Sequence, residues 1–254
     1  MNEHQTPTPQ LSTLLSVIAR LLDYPTNEIW AHSQALCEAV GKSPYIPPDL
    51  RRNIIGEINT MTADDIYERQ ARYDGLFDRG RSVSLSLFEH VHGESRERGQ
   101  AMVDLLEVYR QHGLEINSEQ MPDYIPLFLE FLSTQDDNTA RQWLADVGHI
   151  LTLLTERLRK RDAWEARLFE ALLTVAGQPL HDQAVNLQVA DEADDSTLSA
   201  IDKAWEDREI RFDEPLEDGS TCSAIEQFQQ INGEQPIIWD KKGPGKPITN
   251  EVSQ

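Results

Sequence analysis

Apolar residues recur every three or four positions over most of residues 11–177, which is the spacing of amphipathic helices. The first predicted helix covers roughly residues 10–22. Its apolar stripe consists of Leu11, Leu14, Leu15, Ile18, Leu21 and Leu22. Thr26 is a suitable cap for a second helix, which stops at Gly41.

Further along, a third predicted helix runs from about Asp49 to Met61. Thr62 followed by Asp65 is similar to a capping box, so we expect the next helix to start there. Val83, Leu85 and Leu87 alternate as in a strand, but the run is short and the sequence offers no pairing candidate. The segment is therefore assigned to the helical pattern that continues to His92.

In the second half of the chain, a long helix is predicted to begin at Asn138 or Thr139 and to end in a cluster of cations. Asp162 to Glu165 is a capping signal for one more helix, closed by Gly177. Seven or eight helices with short loops and no convincing strand predict an all-α fold, a single globular helical bundle.

Residues 121–133, Met-Pro-Asp-Tyr-Ile-Pro-Leu-Phe-Leu-Glu-Phe-Leu-Ser, are the most distinctive segment. Pro is tolerated in the first turn of a helix, so Pro126 predicts a helix start with Asp123 as its cap. The residues after it are apolar except Glu130. A carboxylate in such a segment needs a partner, and we expect Glu130 either to anchor a neighbouring helix or to face a cation of a ligand, with the structural role favoured.

Beyond Pro179 the pattern changes. The sequence becomes acidic and rich in Gly and Pro, with only a short apolar stripe around Leu198 and Trp205. We therefore predict three parts: a flexible N-terminus at 1–10, an all-helical domain at 11–177, and at 178–254 a largely disordered acidic tail with short helical or docking segments.

The net charge of the chain argues against one class of partner and favours another. The 254 residues carry a formal net charge of −21, and roughly half of it falls in residues 178–254. No basic field is available for phosphates, which argues against nucleic-acid binding and favours a basic partner. Two distant cysteines, Cys37 and Cys222, and the absence of a secretory signal or an apolar run of membrane length predict a cytoplasmic protein without direct membrane insertion.

No catalytic motif is present, so we predict that the chain is not an enzyme. The one metal-like pattern is Glu89-x-x-His92, which is typical of helical di-metal carboxylate proteins. An oxidase-like metal protein using Glu89 and His92 is therefore the alternative function. An acidic helical domain without an active site is better suited to recognising a basic amphipathic peptide in a groove between helices.

The order of residues in 121–132 resembles the NarJ family, the nitrate reductase delta subunits, within the TorD-like redox-enzyme maturation proteins. Supporting likenesses are Leu21 to Pro25, Leu85 to Gly93 and Ala204 to Glu206. The segment departs from the wider group's motif, because Gln120 replaces an acid and the Tyr124-Ile125 pair replaces a histidine.

The resemblance implies an all-α assembly chaperone that is not a subunit of the final enzyme. Its implied partner is the N-terminal peptide of the nitrate reductase alpha subunit, with molybdenum cofactor biosynthesis proteins as further candidates. It implies no permanently bound cofactor, but an action on molybdenum cofactor insertion into the client. We expect six residues to bind the peptide: Asp123, Tyr124, Phe128, Glu130, Tyr73 and Phe77.

Overall fold

The computed structural model describes residues 10–92, 96–116 and 120–206, and every regular element in these ranges is helical. This confirms the predicted all-α fold. Among the described helices, none is both long and apolar enough to cross a membrane. The elements are α1 (Leu11–Leu22), α2 (Asn27–Ala31), α3 (Ser33–Lys42), α4 (Pro48–Ala63), α5 (Ile66–Tyr73), a π-helix (Asp74–Asp78), α6 (Leu87–His92), α7 (Arg96–Gln111), α8 (Ile125–Ser133), α9 (Asp137–Asp146), α10 (Gly148–Lys160), α11 (Ala166–Ala176), α12 (Gln183–Asp191) and α13 (Leu198–Glu206).

Helix α8 lies at the centre of the fold, packed along α1. Seven of its nine residues are buried, as the almost continuous apolar run of this segment requires. Helix α1 buries eight residues on the face that its leucine spacing predicts. Pro126 occupies the first turn of α8, where its missing N–H removes no helical hydrogen bond.

Large aromatic side chains fill the space between α8 and its other neighbours. The ring of Phe131 lies 4.6 Å from Tyr109 of α7 and 5.4 Å from Trp143 of α9, measured between centroids. Phe128 contacts Trp143 from the next turn, at 6.0 Å. These tilted and edge-on pairs tie α7, α8 and α9 into one core.

A second group of helices, α9, α10 and α11, completes the core. Helix α11 ends at Gly177 as predicted, with φ of 70° in the left-handed region that glycine adopts without steric cost. The predicted long helix is interrupted, because α9 ends at Asp146 and α10 begins at Gly148.

Three predicted helix starts are displaced in the structure. Asp65 itself caps α5, accepting from the Tyr67 N–H at 2.8 Å, because α4 continues through Thr62 to Ala63. Asp136, rather than Asn138 or Thr139, caps α9 through its carboxylate. Asp162 lies in a tight turn with φ of 51°, and α11 begins only at Ala166.

The alternating residues 83–87 do have a pairing partner, contrary to the prediction. Ser86 forms an antiparallel β-bridge with Tyr124. The Ile125 N–H donates to Leu85 O at 2.7 Å, and the Leu87 N–H donates to Asp123 O at 2.9 Å. The partner is the 121–133 segment itself, which is distant in sequence and leaves no local signal.

Two short helices follow residue 177, where the sequence places the start of the tail. Helix α12 packs against α10 and buries Val189. Helix α13 follows, and its Leu198 is exposed. Residues 207–254, to which most of the predicted disorder applies, lie outside the described residues, as do positions 1–9.

Candidate functional site

Two tyrosines and one carboxylate are connected by hydrogen bonds where α1, α5 and α8 meet. The Tyr124 hydroxyl donates to Asp23 Oδ1 at 3.0 Å. The Tyr73 hydroxyl lies 3.0 Å from the Tyr124 oxygen and 3.2 Å from Leu22 O, so its single proton can serve either acceptor. We call Asp23, Tyr73 and Tyr124 the tyrosine cluster.

Two aromatic rings flank this cluster, one outside and one beneath. Tyr24 is exposed and meets the Tyr73 ring edge-on, with centroids 5.3 Å apart. Phe77, in the π-helix, is buried and lies 4.8 Å from the same ring. Tyr73 is therefore held between a solvent-facing ring and a core ring, and the cluster has a firm apolar base.

The phenols of the cluster remain neutral at ordinary pH. Burial above all, and the nearby charge of Asp23, raise the pKa of both Tyr73 and Tyr124. Asp74 and Asp78 in the π-helix act on Tyr73 in the same direction. Negative charge around the cluster therefore comes from the carboxylates of Asp23, Asp74 and Asp78. We call these carboxylates the acidic rim.

A cavity of about 510 Å³ opens beside the cluster, between the end of α1 and helices α2 and α3. Its lining combines apolar and charged side chains: Arg20, Asp23, Tyr24, Thr26, Asn27, Glu28, Ile29, His32 and Leu36. Asp23 and Tyr24 belong to both the cavity and the cluster region, so the two form one continuous surface.

The sequence predicts that Asp123 caps α8. In the structure it caps α6 instead. Its Oδ2 accepts from the Phe88 N–H at 3.1 Å, while its carbonyl accepts from Leu87. These are the first two amides of α6, which have no partner inside their own helix. The N-cap of α8 is Tyr124, whose side chain makes no capping hydrogen bond to the helix.

Asp123 is fully buried, and this decides its role. Arg98 Nη2 lies 3.8 Å from Oδ2, and no hydrogen-bond partner for Oδ1 lies among the described residues. Burial raises the pKa of this carboxyl, although the Phe88 N–H and the charge of Arg98 oppose the shift. A ligand on the surface does not reach Asp123, which joins α6, α7 and α8 from within.

Of the other predicted site residues, Phe128 is buried against Trp143 and belongs to the core rather than to the surface. Glu130 is half-exposed, and its Oε1 lies 3.5 Å from Arg20 Nη2 of α1. Because Arg20 also lines the cavity, the pair links α8 to α1 beside it. A contact with a neighbouring helix is the role that the sequence favours for Glu130, although the sequence does not identify Arg20 as the partner.

We expect Glu130→Gln to lower the free energy of unfolding by less than about 1 kcal/mol, because both partners are largely exposed. Chemical denaturation of the variant and of Arg20→Gln checks this. The double variant serves as the control for a pairwise interaction. A loss of several kcal/mol would show that the pair is a structural anchor.

The metal-site alternative gains no geometric support. Glu89 accepts from Ser84 Oγ at 2.6 Å, and His90 Nε2 lies 2.8 Å from Ser84 O. Burial, together with the charge of Arg157, lowers the pKa of His90 and keeps it neutral. No group of three potential metal ligands occurs in the described part of the chain, which does not include the His92 side chain.

The fold and this surface define a class: an all-α protein built on one core, with an acidic, tyrosine-rich surface beside a cavity. The family model described as nitrate reductase delta subunit matches residues 29–170. The chain belongs to this family, as its similarity to individual relatives also shows.

It is 44% identical over 198 residues to the nitrate reductase molybdenum cofactor assembly chaperone NarJ of Escherichia coli K12, covering 78% of this chain and 84% of that protein. It is 39% identical over 220 residues to the probable chaperone of the same kind, NarW, of E. coli K12, covering 85% and 91%. The probable NarJ chaperone of Bacillus subtilis 168 is 28% identical over 161 residues, which are 62% of this chain and 85% of that protein. These relatives are named as assembly chaperones, not as enzymes.

Proposed function

We propose that this chain is an assembly chaperone for a respiratory nitrate reductase and that it binds the N-terminal peptide of the catalytic alpha subunit. The observation that carries the second part is the tyrosine cluster with its acidic rim and adjoining cavity. While bound, the chaperone keeps the apoenzyme open to insertion of the molybdenum cofactor, which it does not itself retain.

The chemistry of the surface favours a basic, amphipathic peptide helix. Ile29 and Leu36 give the cavity an apolar wall, while Asp23 and Glu28 add carboxylates to its lining. Neutral phenols accept close contact with an apolar helix face without the desolvation cost of a charge. Carboxylates at the rim attract lysine and arginine side chains and steer them to the surface.

Tyrosines are suited to such a surface for a second reason. A phenol ring offers a large apolar area and one polar end, and it loses little conformational entropy on binding. Tyr73 is already fixed by its hydrogen bonds and by Phe77. A prearranged ring lowers the entropic cost of binding, so the cluster supports affinity without a large interface.

Calorimetric titration with the alpha-subunit N-terminal peptide tests the proposal. We expect binding by the full chain and an affinity that falls as salt rises from about 0.05 to 0.5 M, because exposed charge pairs are screened. Asp23→Asn should weaken binding about threefold to tenfold, since an exposed charge contact is worth up to about 1 kcal/mol and Tyr124 loses a charged acceptor.

Asp49→Asn is the matched control, because it removes an exposed carboxylate at the start of α4, where Asp49 pairs with Arg52. It should leave the affinity unchanged. Equal weakening in both variants would reduce the effect to net charge alone. Absence of any binding heat with folded protein would refute the peptide assignment.

A further inference from the structure

The acidic residues that follow α12 are bound to the end of α10 rather than left in solvent. Glu192 pairs with Arg157 through two hydrogen bonds, of 2.8 and 2.6 Å. The Lys160 ammonium donates to the carbonyls of Val189, Ala190 and Glu192, which closes the C-terminus of α12. We call residues 192–195 the latch segment.

Asp195 binds the latch segment to Arg81 and Ser82, which precede α6 in the chain. Its Oδ2 accepts from the backbone N–H groups of Arg81 and Ser82, at 2.7 and 2.8 Å. Its Oδ1 accepts from Ser82 Oγ at 2.8 Å and from Arg161 Nη2 at 2.5 Å. One carboxylate thus receives four hydrogen bonds, two of them from consecutive backbone amides.

The contact is also close sterically. Gly80 has φ of 86°, and a Cβ added there would lie 2.6 Å from Asp195 Cγ. Only a glycine accommodates both the left-handed backbone and the carboxylate against it. Although burial acts to raise it, the hydrogen bonds from Ser82 and Arg81 and the charge of Arg161 lower the pKa of Asp195. The carboxylate therefore stays charged and bound near neutral pH.

Arg81 and Ser82, which Asp195 binds, lie in the segment that joins Tyr73 to the residues paired with Tyr124. Upstream, the π-helix continues directly from Tyr73 and carries Phe77. Downstream, Ser86 pairs with Tyr124, and Leu85 O accepts from the Ile125 N–H. Residues 79–86 therefore form the connector whose placement sets the two tyrosines against each other.

We propose that Asp195 is a positioning residue for the tyrosine cluster, acting through the connector 79–86 and held in place by Arg161. Its effect on binding rests on the peptide assignment proposed above. With the latch in place, the hydroxyls of Tyr73 and Tyr124 stay within hydrogen-bonding distance and the surface is ready for the peptide. When the latch segment is released, two backbone amides of the connector lose their acceptor. The tyrosine cluster must then be ordered when the peptide binds, which costs conformational entropy.

Asp195→Asn in the full chain tests this, with Asp194→Asn as the control. Asp194 is an adjacent, largely exposed carboxylate, 4.0 Å from the same arginine, and it accepts hydrogen bonds from Ser196. Two readouts are measured: amide hydrogen exchange at Ser82 and Ile125, and peptide affinity by calorimetry. We expect exchange at both amides to rise about tenfold and affinity to fall about threefold or more in Asp195→Asn, with little change in Asp194→Asn.

Ser82→Ala is a milder second variant, which removes one of the four bonds and should shift both readouts in the same direction by less. Exchange that rises at Ser82 but not at Ile125, or affinity that stays unchanged while exchange rises at both, would overturn the positioning role. Failure of the parent chain to bind the peptide would refute the proposed function instead. In that case, amide exchange at Ile125 in Asp195→Asn still shows whether Asp195 affects the backbone beside Tyr124.

Discussion

A chain that ends at Pro179 is expected to lose about 3 kcal/mol or more of its free energy of unfolding relative to the full chain. The truncation removes Glu192 and Asp195, which bind the guanidinium groups of Arg157 and Arg161. A hydrogen bond to a charged group contributes about 1.5–3 kcal/mol net of rehydration, and the truncation removes several of them. Burial of Val189 is lost as well.

A chain that ends at Glu206 is the matched control, since it keeps α12, the latch segment and α13. We expect its stability to stay within about 0.5 kcal/mol of the full chain, as for changes outside packed regions. Urea unfolding followed by circular dichroism measures all three chains. Equal midpoints for the two truncations would show that residues 180–206 contribute nothing to the fold.

Asp123→Ala is expected to destabilise the protein by about 2–3 kcal/mol, because the α6 amide of Phe88 loses a charged acceptor inside the core. Arg98 loses its nearby carboxylate at the same time. Asp123→Asn keeps an acceptor of the same shape and should cost clearly less. Denaturant unfolding of the two variants separates the lost hydrogen bond from the lost charge, and equal losses would assign the whole effect to charge.

The pH dependence of stability, compared between the parent and Asp123→Asn, tests the state of this carboxyl. Burial raises the folded-state pKa of Asp123 above the ordinary aspartate value of 3.8, so the folded protein binds this proton more tightly than the unfolded chain. As the pH falls through the raised pKa, the parent gains stability relative to Asp123→Asn, which has no proton to bind. The difference becomes constant below the unfolded pKa. A difference that does not change with pH would contradict the raised pKa.

Much of the fold follows from the sequence because its signals are local. The leucine spacing of α1 and the glycine that ends α11 each act within a few residues, and the structure places both as predicted. The capping errors at Thr62 and Asn138 are also local in origin. Several adjacent residues there are competent caps, and tertiary packing decides which one is used.

The site was less accessible to sequence reasoning, because its contacts join distant residues. Asp123 caps α6 across 35 positions, and Tyr124 reaches Asp23 across 101. Neither distance leaves a periodic or spacing signal. The likeness at Leu21 to Pro25 supports the family resemblance, but it gives no reason to place Asp23 beside Tyr124. The sequence also offered no indication that Asp195 binds the connector 79–86.

The pairing of α1 with α8 has a consequence for synthesis. Helix α1 has eight residues destined for the core, and the helix that covers most of them begins about a hundred positions later, at Ile125. Until α8 has been made, this leucine-rich face is covered only in part, by α3, and long-range contacts such as those with α8 form slowly. The chain therefore passes through a stage in which the apolar face of α1 is made but not yet fully buried.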